Sequence, residues 1–484
     1  MRLRELGRPV APAELVPVNQ RRVGEEILLT SPFGDWAFVT EAELGALRQG
    51  ALERGSELWN KLATRRLVRS ELDLAEAVAG FWRRRRFVEH GPSHHLVVVT
   101  RRGGAPAASE PARETPADMT ASTAEQVVDF ALRSTSPELT LALAGGEPLA
   151  AMPVVRHLVD HALEKNRAYG KALELVLLTG LAGIADADLD FVVARRMRIV
   201  ARLDATLFAP GGGAEREAAR TLFARDVARV HERYRGLGLD PALYHVEVEL
   251  VAPPTAWVAG AASGAALVDA LAALGCRSFA LAPPEGLDPR GGYLDFHRAA
   301  LERALGLGLA GSGPRERHAA LFLRQILLGE APSEVAIRSP AASAVGTLAY
   351  DCDGRIYTSD TGRRLRDRGD DFFQLGDVAV TRYRELMTHE TVRALLFASI
   401  REAQPDCAAC PYAPYCGVEP EQSYALQGSI FGRMRESFAC ALHKGLQDWL
   451  FAALGRGDAA VRAVLEAWSK PEVRAHFVHS SVAS

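Results

Sequence analysis

Apolar and polar positions change rhythm three times along this chain. In the first stretch, ILLTSPFGDWAFVT (27–40) reads as two short strands around a Ser-Pro-Phe-Gly-Asp turn. Thr40 then opens a helix, and Glu43 three residues on completes a capping box. Helical spacing continues through Leu58, Leu62 and Leu67, and again from Leu72 to Phe81. This marks residues 1–90 as a small α+β domain. The basic run 83–86 reads as a solvated face or helix end and is given no function.

From 95 to about 285 strand and helix patterns alternate. The candidate strands are 96–100, 139–144, 173–179, 197–204, 244–251 and 278–282. Ser122 with Glu125 offers a capping box before one intervening helix, and Pro153 a first-turn proline in the next. Repeated βα units imply a parallel sheet, and six are too few to close an eight-stranded barrel. Residues 101–117 (RRGGAPAASEPARETPA) break the pattern and are expected to form a mobile loop. After about 315 a helix with Leu321, Leu323, Ile326 and Leu327 leads into a loop-rich segment with short strands near 346–350 and 355–358. A helical region from 444 to about 468 follows it.

Composition narrows the function classes. The chain has 484 residues, 48% hydrophobic and 24% charged, with 57 Lys plus Arg against 60 Asp plus Glu. That balance speaks against a phosphate-driven nucleic-acid binder. No apolar run approaches the roughly 20 residues of a membrane span, and the N-terminus lacks a secretory apolar core. The expectation is a cytoplasmic protein.

Cys276 and Cys352 stand alone, whereas Cys407, Cys410, Cys416 and Cys440 fall in one stretch. In a reducing compartment, clustered thiols point to a metal or redox site before disulfides. Four thiolates suit tetrahedral zinc or an iron–sulfur cluster, and spacing alone leaves both open. A second signal is Gly145-Gly146-Glu147-Pro148, directly after a candidate strand. Glycines there let a ligand approach the backbone, and the carboxylate can receive an ammonium group. Asp204, Glu147, His157 and His161 are the candidate acid–base groups. Both histidines are expected on the exposed side of the helix after the glycines.

These residues sit within a wider likeness. HLVVVTRR, DMTASTAEQVVDFALRSTSPELTLALAGGEPL, VVRHLVDHALEKN, GLDPALYHVE, QPDCAACPYAPYCGV and ALQGSIFGRMRES together resemble a radical S-adenosylmethionine (SAM) maturase with a C-terminal SPASM extension. The nearest resemblance is to the maturase of the His-Xaa-Ser peptide system. It implies an α/β chain: a small N-terminal domain (1–90), suited to peptide recognition by strand addition; a partial (β/α)6 barrel (91–315); and a SPASM-like extension (316–484). In that family the glutamate equivalent to Glu147 contacts the methionine amino group of the cofactor.

The departures are as informative as the match. The family's Cys-x3-Cys-x2-Cys, which binds the cluster that cleaves SAM, is replaced by Gly103, Ala107 and Glu110. Its Thr-Asn is Thr179-Gly180 here, and its Asp-Gly-Pro is Asp204-Ala205-Thr206. Of two auxiliary clusters, the first would need cysteines where Ala341, Ser359 and Glu419 stand. The second would use Cys407, Cys410, Cys416 and Cys440, all present. The resemblance thus implies one [4Fe-4S] cluster, with zinc as the alternative, a vestigial SAM motif at Gly145, Gly146, Glu147 and Pro148, and no use of SAM. It also implies a precursor peptide or an active maturase as partner, without nucleic acid or membrane. The alternative is an iron–sulfur enzyme, whose remaining cluster relays electrons or whose barrel cavity hosts non-radical chemistry.

Overall fold

The computed structural model describes residues 14–103, 118–209, 213–257, 261–284, 290–330, 337–340 and 343–470. Most of the expected loop at 101–117 therefore lies outside the described residues.

The N-terminal strands are β1 (Asn19–Val23), β2 (Glu26–Thr30) and β3 (Trp36–Val39), an antiparallel sheet in that order. β1 escapes sequence reading because NQRRV holds one apolar residue and so shows no alternation. One sheet face, with Ile27, Leu29, Ala37 and Val39, packs on Leu44, Leu47, Trp59 and Leu62 in a separate small core. The helix Glu41–Arg48 opens with the expected capping box of Thr40 and Glu43. The residues of the 83–86 basic run are spent internally: Arg83 pairs with Glu76, Arg84 donates to the Phe33 carbonyl, Arg85 pairs with Glu402, and Arg86 with Glu89.

The large sheet holds ten strands. Its parallel run is β4 (His94–Thr100), β5 (Glu138–Gly145), β6 (Ala172–Thr179), β7 (Arg198–Asp204), β8 (Val246–Val251) and β9 (Ser278–Ala282), all six close to the expected spans. The two-residue β10 (Arg315–Glu316) lies beside β9. At the other edge β11 (Thr347–Tyr350) joins β4 in parallel, followed by β12 (Arg355–Tyr357) and β13 (Gln374–Asp377). The sheet stays open, and the C-terminal part supplies its edge. His95 and Tyr350 fix that join, ring nitrogen to hydroxyl at 2.8 Å, and burial pushes the imidazole pKa down to about 3.

Alternation splits the sheet faces. Val97, Val99, Leu141, Leu143, Leu175 and Ile199 pack against outer helices through Val127, Val155 and Leu158. The inner face carries Leu96, Val98, Ala142, Ala144, Val176 and Val200. Arg198, Arg202, Glu247 and Glu249 continue it as ion pairs. One cap differs from expectation: Thr120, not Ser122, caps the helix Ala121–Leu132, and Glu125 instead meets His157 at 2.9 Å. The chain closes on the helices Phe438–Gly455 and Ala459–Ser469. Among the described residues, no helix is long and apolar enough to cross a membrane.

Phe451 ties the ends of the molecule together. Its ring lies 5.4 Å from Trp36, 5.6 Å from Tyr412 and 5.7 Å from Tyr415. Phe451 is fully buried, so Phe451→Ala removes a large side chain from packing it cannot replace. The expected cost is about 3–5 kcal/mol, read as a lowered urea midpoint; a change below about 1 kcal/mol would contradict this role.

Candidate functional site

The Gly145-Gly146-Glu147-Pro148 turn begins where β5 ends. Gly145 has φ +139, and a Cβ there would lie 2.0 Å from the Thr100 carbonyl oxygen, so only glycine fits. Gly146 N–H donates to that same oxygen at 2.9 Å, and Glu147 N–H donates to the Arg102 carbonyl at 2.6 Å. The Glu147 carboxylate accepts from the Thr179 hydroxyl (2.6 Å), Gly180 N–H (2.7 Å) and Leu149 N–H (3.1 Å). About three of its four or so acceptor positions are thereby used within the protein. Gly103 leans on it: a Cβ at Gly103 would stand 2.9 Å from Glu147 Cβ. Ala107 and Glu110 lie outside the described residues.

Beside Glu147 a buried ion-pair chain begins. Arg101 grips Asp351 with Nε and Nη2 and reaches Asp367 with Nη1 at 3.1 Å. Arg363 continues from Asp367 (3.0 Å) to Asp360 (2.9 Å). Asp351 is 2% exposed; burial pushes its carboxyl up, and Arg101 outweighs that and holds it below its usual value. Cys352 adjoins this pair, a thiol near the first strand's end that sequence reading did not place there. Arg102 pairs with Asp118 and donates to the Ala150 carbonyl at 2.6 Å. Both arginines after the first strand therefore brace the surroundings of Glu147.

A second knot gathers at Ser359, one of the three positions where the resemblance expects a cysteine. Ser359, in place of a cysteine, donates to Glu421, as do Thr358 and Ser343, the last at 2.8 Å. Glu421 is 4% exposed. Gly362 closes over it, where a Cβ would meet Phe373 Cβ at 2.7 Å and Glu421 Oε1 at 3.3 Å. Ala341 lies outside the described residues, and Glu419 lines the cavity described next.

The four clustered cysteines are treated differently. Cys407, Cys410, Cys416 and Cys440 line one cavity of about 40 Å³. That is space for roughly three waters, at about 10–15 Å³ each. Cys407 lies in the short helical turn Pro405–Ala408, Cys410 between it and the turn Ala413–Tyr415, Cys416 directly after that second turn, and Cys440 in the helix Phe438–Gly455. The N-terminal sheet holds this loop by its carbonyls. Asn19 donates to those of Ala408 and Cys410 (both 3.2 Å), and Thr30 to that of Pro411 (2.7 Å). The Tyr415 hydroxyl donates to the Gly34 carbonyl at 3.0 Å, and Arg21 pairs in two bonds of 2.6 Å with Asp448. A π turn, Arg324–Leu328, adds Gln325, whose amide donates to the Tyr415 carbonyl at 3.0 Å.

The donor set fits a metal centre in two respects. Burial, then the neighbouring thiolates of Cys410 and Cys440, push the Cys407 pKa up to about 12; burial raises Cys416 and Cys440 too. Such thiols stay protonated until a cation displaces the protons. Arg401, 7% exposed, lines the cavity with its Nε–H making no hydrogen bond, and the fully buried Gln447 has an unpartnered Oε1 there. Each such group costs about 1–3 kcal/mol unless something in the cavity meets it. Among the described residues no three His, Cys, Asp or Glu side chains converge on one ion. The thiols instead surround a space. A single zinc would draw four sulfurs to about 3.8 Å of one another, from Zn–S bonds of about 2.3 Å.

A larger cavity of about 480 Å³ opens at the C-terminal ends of β8 and β9. Its charged wall has Arg202, Glu249 and Arg317, and its apolar wall Leu281, Phe322 and Leu442. Burial raises the Glu249 carboxyl, but Arg317 and Arg202 prevail and hold its pKa at about 2. Glu419, Gln422, Ala439 and His443 line this cavity and the four-cysteine cavity alike. His297, 3% exposed, lines it with an unpartnered Nε2.

The candidate acid–base groups are not brought into one site. Asp204 caps its own turn at Thr206, and Glu147 is held by Thr179 and Gly180. His157 and His161 pair with Glu125 and Asp129 on the neighbouring outer helix. His157 is exposed as expected, but the His161 side chain is 15% exposed, covered by that pairing. Sequence reading missed the Arg101 chain, the Glu421 knot, Arg401 and the large cavity. The paired arginines after the first strand were the one visible signal.

No family model matches this chain, and neither does any curated protein. Solved structures do match its fold. A structure of native anSMEcpe with bound AdoMet superposes with a TM-score of 0.59 at 14% identity, covering 78% of this chain and 100% of that one. The same protein with AdoMet and the Cp18Cys peptide gives 0.58 at 15%, covering 78% and 99%. These are radical SAM peptide maturases, and the chain has the α/β fold of radical SAM/SPASM maturases.

The Glu421 knot makes a pH-dependent prediction. Burial raises its carboxyl above the usual value, against the hydrogen bonds of Ser359, Thr358 and Ser343. The stability it contributes is therefore fully present below the ordinary carboxyl pKa of about 4.3 and is lost as pH rises through its folded pKa. Urea unfolding from acid to neutral pH should show the wild type losing stability relative to Glu421→Gln. A constant difference would contradict this. Glu421→Ala, which leaves three hydroxyls unpaired, should cost about 1–3 kcal/mol or more.

Proposed function

We propose that this chain is a degenerate radical SAM/SPASM protein of a peptide-modification system, lacking the catalytic cluster and binding a peptide or partner. Its partner is a precursor peptide, an active maturase, or both, in a system of the His-Xaa-Ser kind. The observation that carries the reading is the contrast between sites. Around Glu147, and around Glu421, the protein's own side chains take up the polar contacts, while the four cysteines face open space. Gly103, Ala107 and Glu110 supply no thiolate for a SAM-cleaving cluster, and Glu147 is engaged by its neighbours, so SAM is not a substrate.

The division into 1–90, 91–315 and 316–484 assigns the three parts distinct tasks. The first receives peptide at β3, which pairs with β2 alone among the described strands. The second offers the large cavity, within the roughly 300–1,000 Å³ of ligand sites. The third carries the centre on Cys407, Cys410, Cys416 and Cys440, a [4Fe-4S] cluster by the family resemblance, or else zinc. When bound, that centre supplies folding energy and an electron-accepting group. Thiols of this kind belong in a reducing compartment, consistent with a cytoplasmic protein. A second reading, in which the centre exchanges electrons with a ligand in the large cavity, is supported by their shared wall.

Anaerobically reconstituted protein, incubated with dithionite and SAM, should yield no 5'-deoxyadenosine above a cluster-free control. Turnover above that control would overturn the degenerate reading.

A further inference from the structure

Arg401 is the buried cation of the four-cysteine cavity. Its backbone N–H donates to Ser339 Oγ at 3.1 Å, fixing the residue's position. Nη1 donates to the Cys416 carbonyl at 2.7 Å, and Nη2 to Glu402 at 2.8 Å. Two bonded nitrogens fix a planar guanidinium, and with it the direction of the third, Nε–H. Among the described residues that N–H has no partner, although Arg401 is 7% exposed.

The surroundings call for an acceptor with negative charge. Four thiolates around a dicationic core, zinc or [4Fe-4S], leave roughly two negative charges in a buried place. Burial makes such charge costly unless cations and hydrogen-bond donors face it. Lys444 reaches Cys440, and His443 Nδ1 lies 3.4 Å from Cys416 Sγ, all lining the same cavity. Cys440, His443, Lys444 and Gln447 stand on one stretch of helix at spacings that bring them to a common face. Of the carboxylates lining the cavity, Asp406 is committed to Arg435 at 2.8 Å.

We infer that Arg401 donates its Nε–H to a sulfur of the centre held by Cys407, Cys410, Cys416 and Cys440, and that with Lys444 it sets the centre's retention and reduction potential. This rests on the proposed metal-holding role of those cysteines. Arg401 is a positioning residue, since it acts on the centre and not on a substrate. Hydrogen bonds and positive charge at the sulfurs favour the more reduced, more negative state of a cluster.

The test uses full-length protein reconstituted anaerobically with iron and sulfide, comparing wild type with Arg401→Met, Arg401→Lys and Lys444→Met. Loss of iron to a ferrous chelator and the midpoint of an optical or EPR redox titration are measured. Arg401→Met should lose iron about 10–100-fold faster and titrate at a more negative midpoint. Arg401→Lys, which keeps the charge but lacks the Nε–H fork, should fall between. If Arg401→Met fails to fold, the lysine variant and Lys444→Met carry the comparison, each with a more negative midpoint than wild type. Unchanged loss rates and midpoints in the folded variants would overturn the inference while leaving the cluster reading intact. Absence of any bound metal from wild type would overturn both, and so is told apart from the first failure.

Discussion

The cysteine loop cannot satisfy its own backbone. Between Pro405 and Cys416 the chain has only short helical turns, so its carbonyls need donors from elsewhere. The N-terminal sheet supplies them through Asn19 and Thr30, and the π turn through Gln325. Segments hundreds of residues apart in sequence are thereby joined at the four thiols. Phe451 fills the space between them, and the Arg21–Asp448 pair braces the same helix that carries Cys440. Held by the N-terminal sheet and the π turn, the loop sets its thiols along one cavity with Cys440.

The rest of the molecule follows the opposite course. Around Glu147 and around Glu421 the polar contacts come from the protein's own side chains and backbone. Arg101 links the end of β4 to Asp351 after β11 and to Asp367 in the extension, joining the parallel core to its C-terminal edge. Glu421 gathers three hydroxyls. Buried ion pairs add little net stability over apolar packing, yet breaking one costs about 3–5 kcal/mol. Such knots therefore fix the segments they join.

Much of the architecture was legible in the sequence. The six parallel strands, the Thr40 capping box and the clustering of the cysteines all follow from periodicity and spacing, which are local signals. β1 was not legible because NQRRV lacks alternation, and the cap at Thr120 because Ser122 offers a competing signal two residues later. The pairing of β11 with β4 and the clamp on the cysteine loop join distant segments, and no local pattern encodes them. Glu421 and Arg401 are the clearest cases. Each is an ordinary charged residue in sequence and takes its meaning from burial alone.

The proposed function requires one metal centre, on Cys407, Cys410, Cys416 and Cys440, and no other. Metal stoichiometry tests this most directly: iron, sulfide and zinc per chain in protein purified without exposure to oxygen, with Cys410→Ala alongside. About four irons with matching sulfide, or about one zinc, absent from the variant, is the predicted result. Iron for two or three clusters, metal that survives in Cys410→Ala, or no metal at all would contradict it.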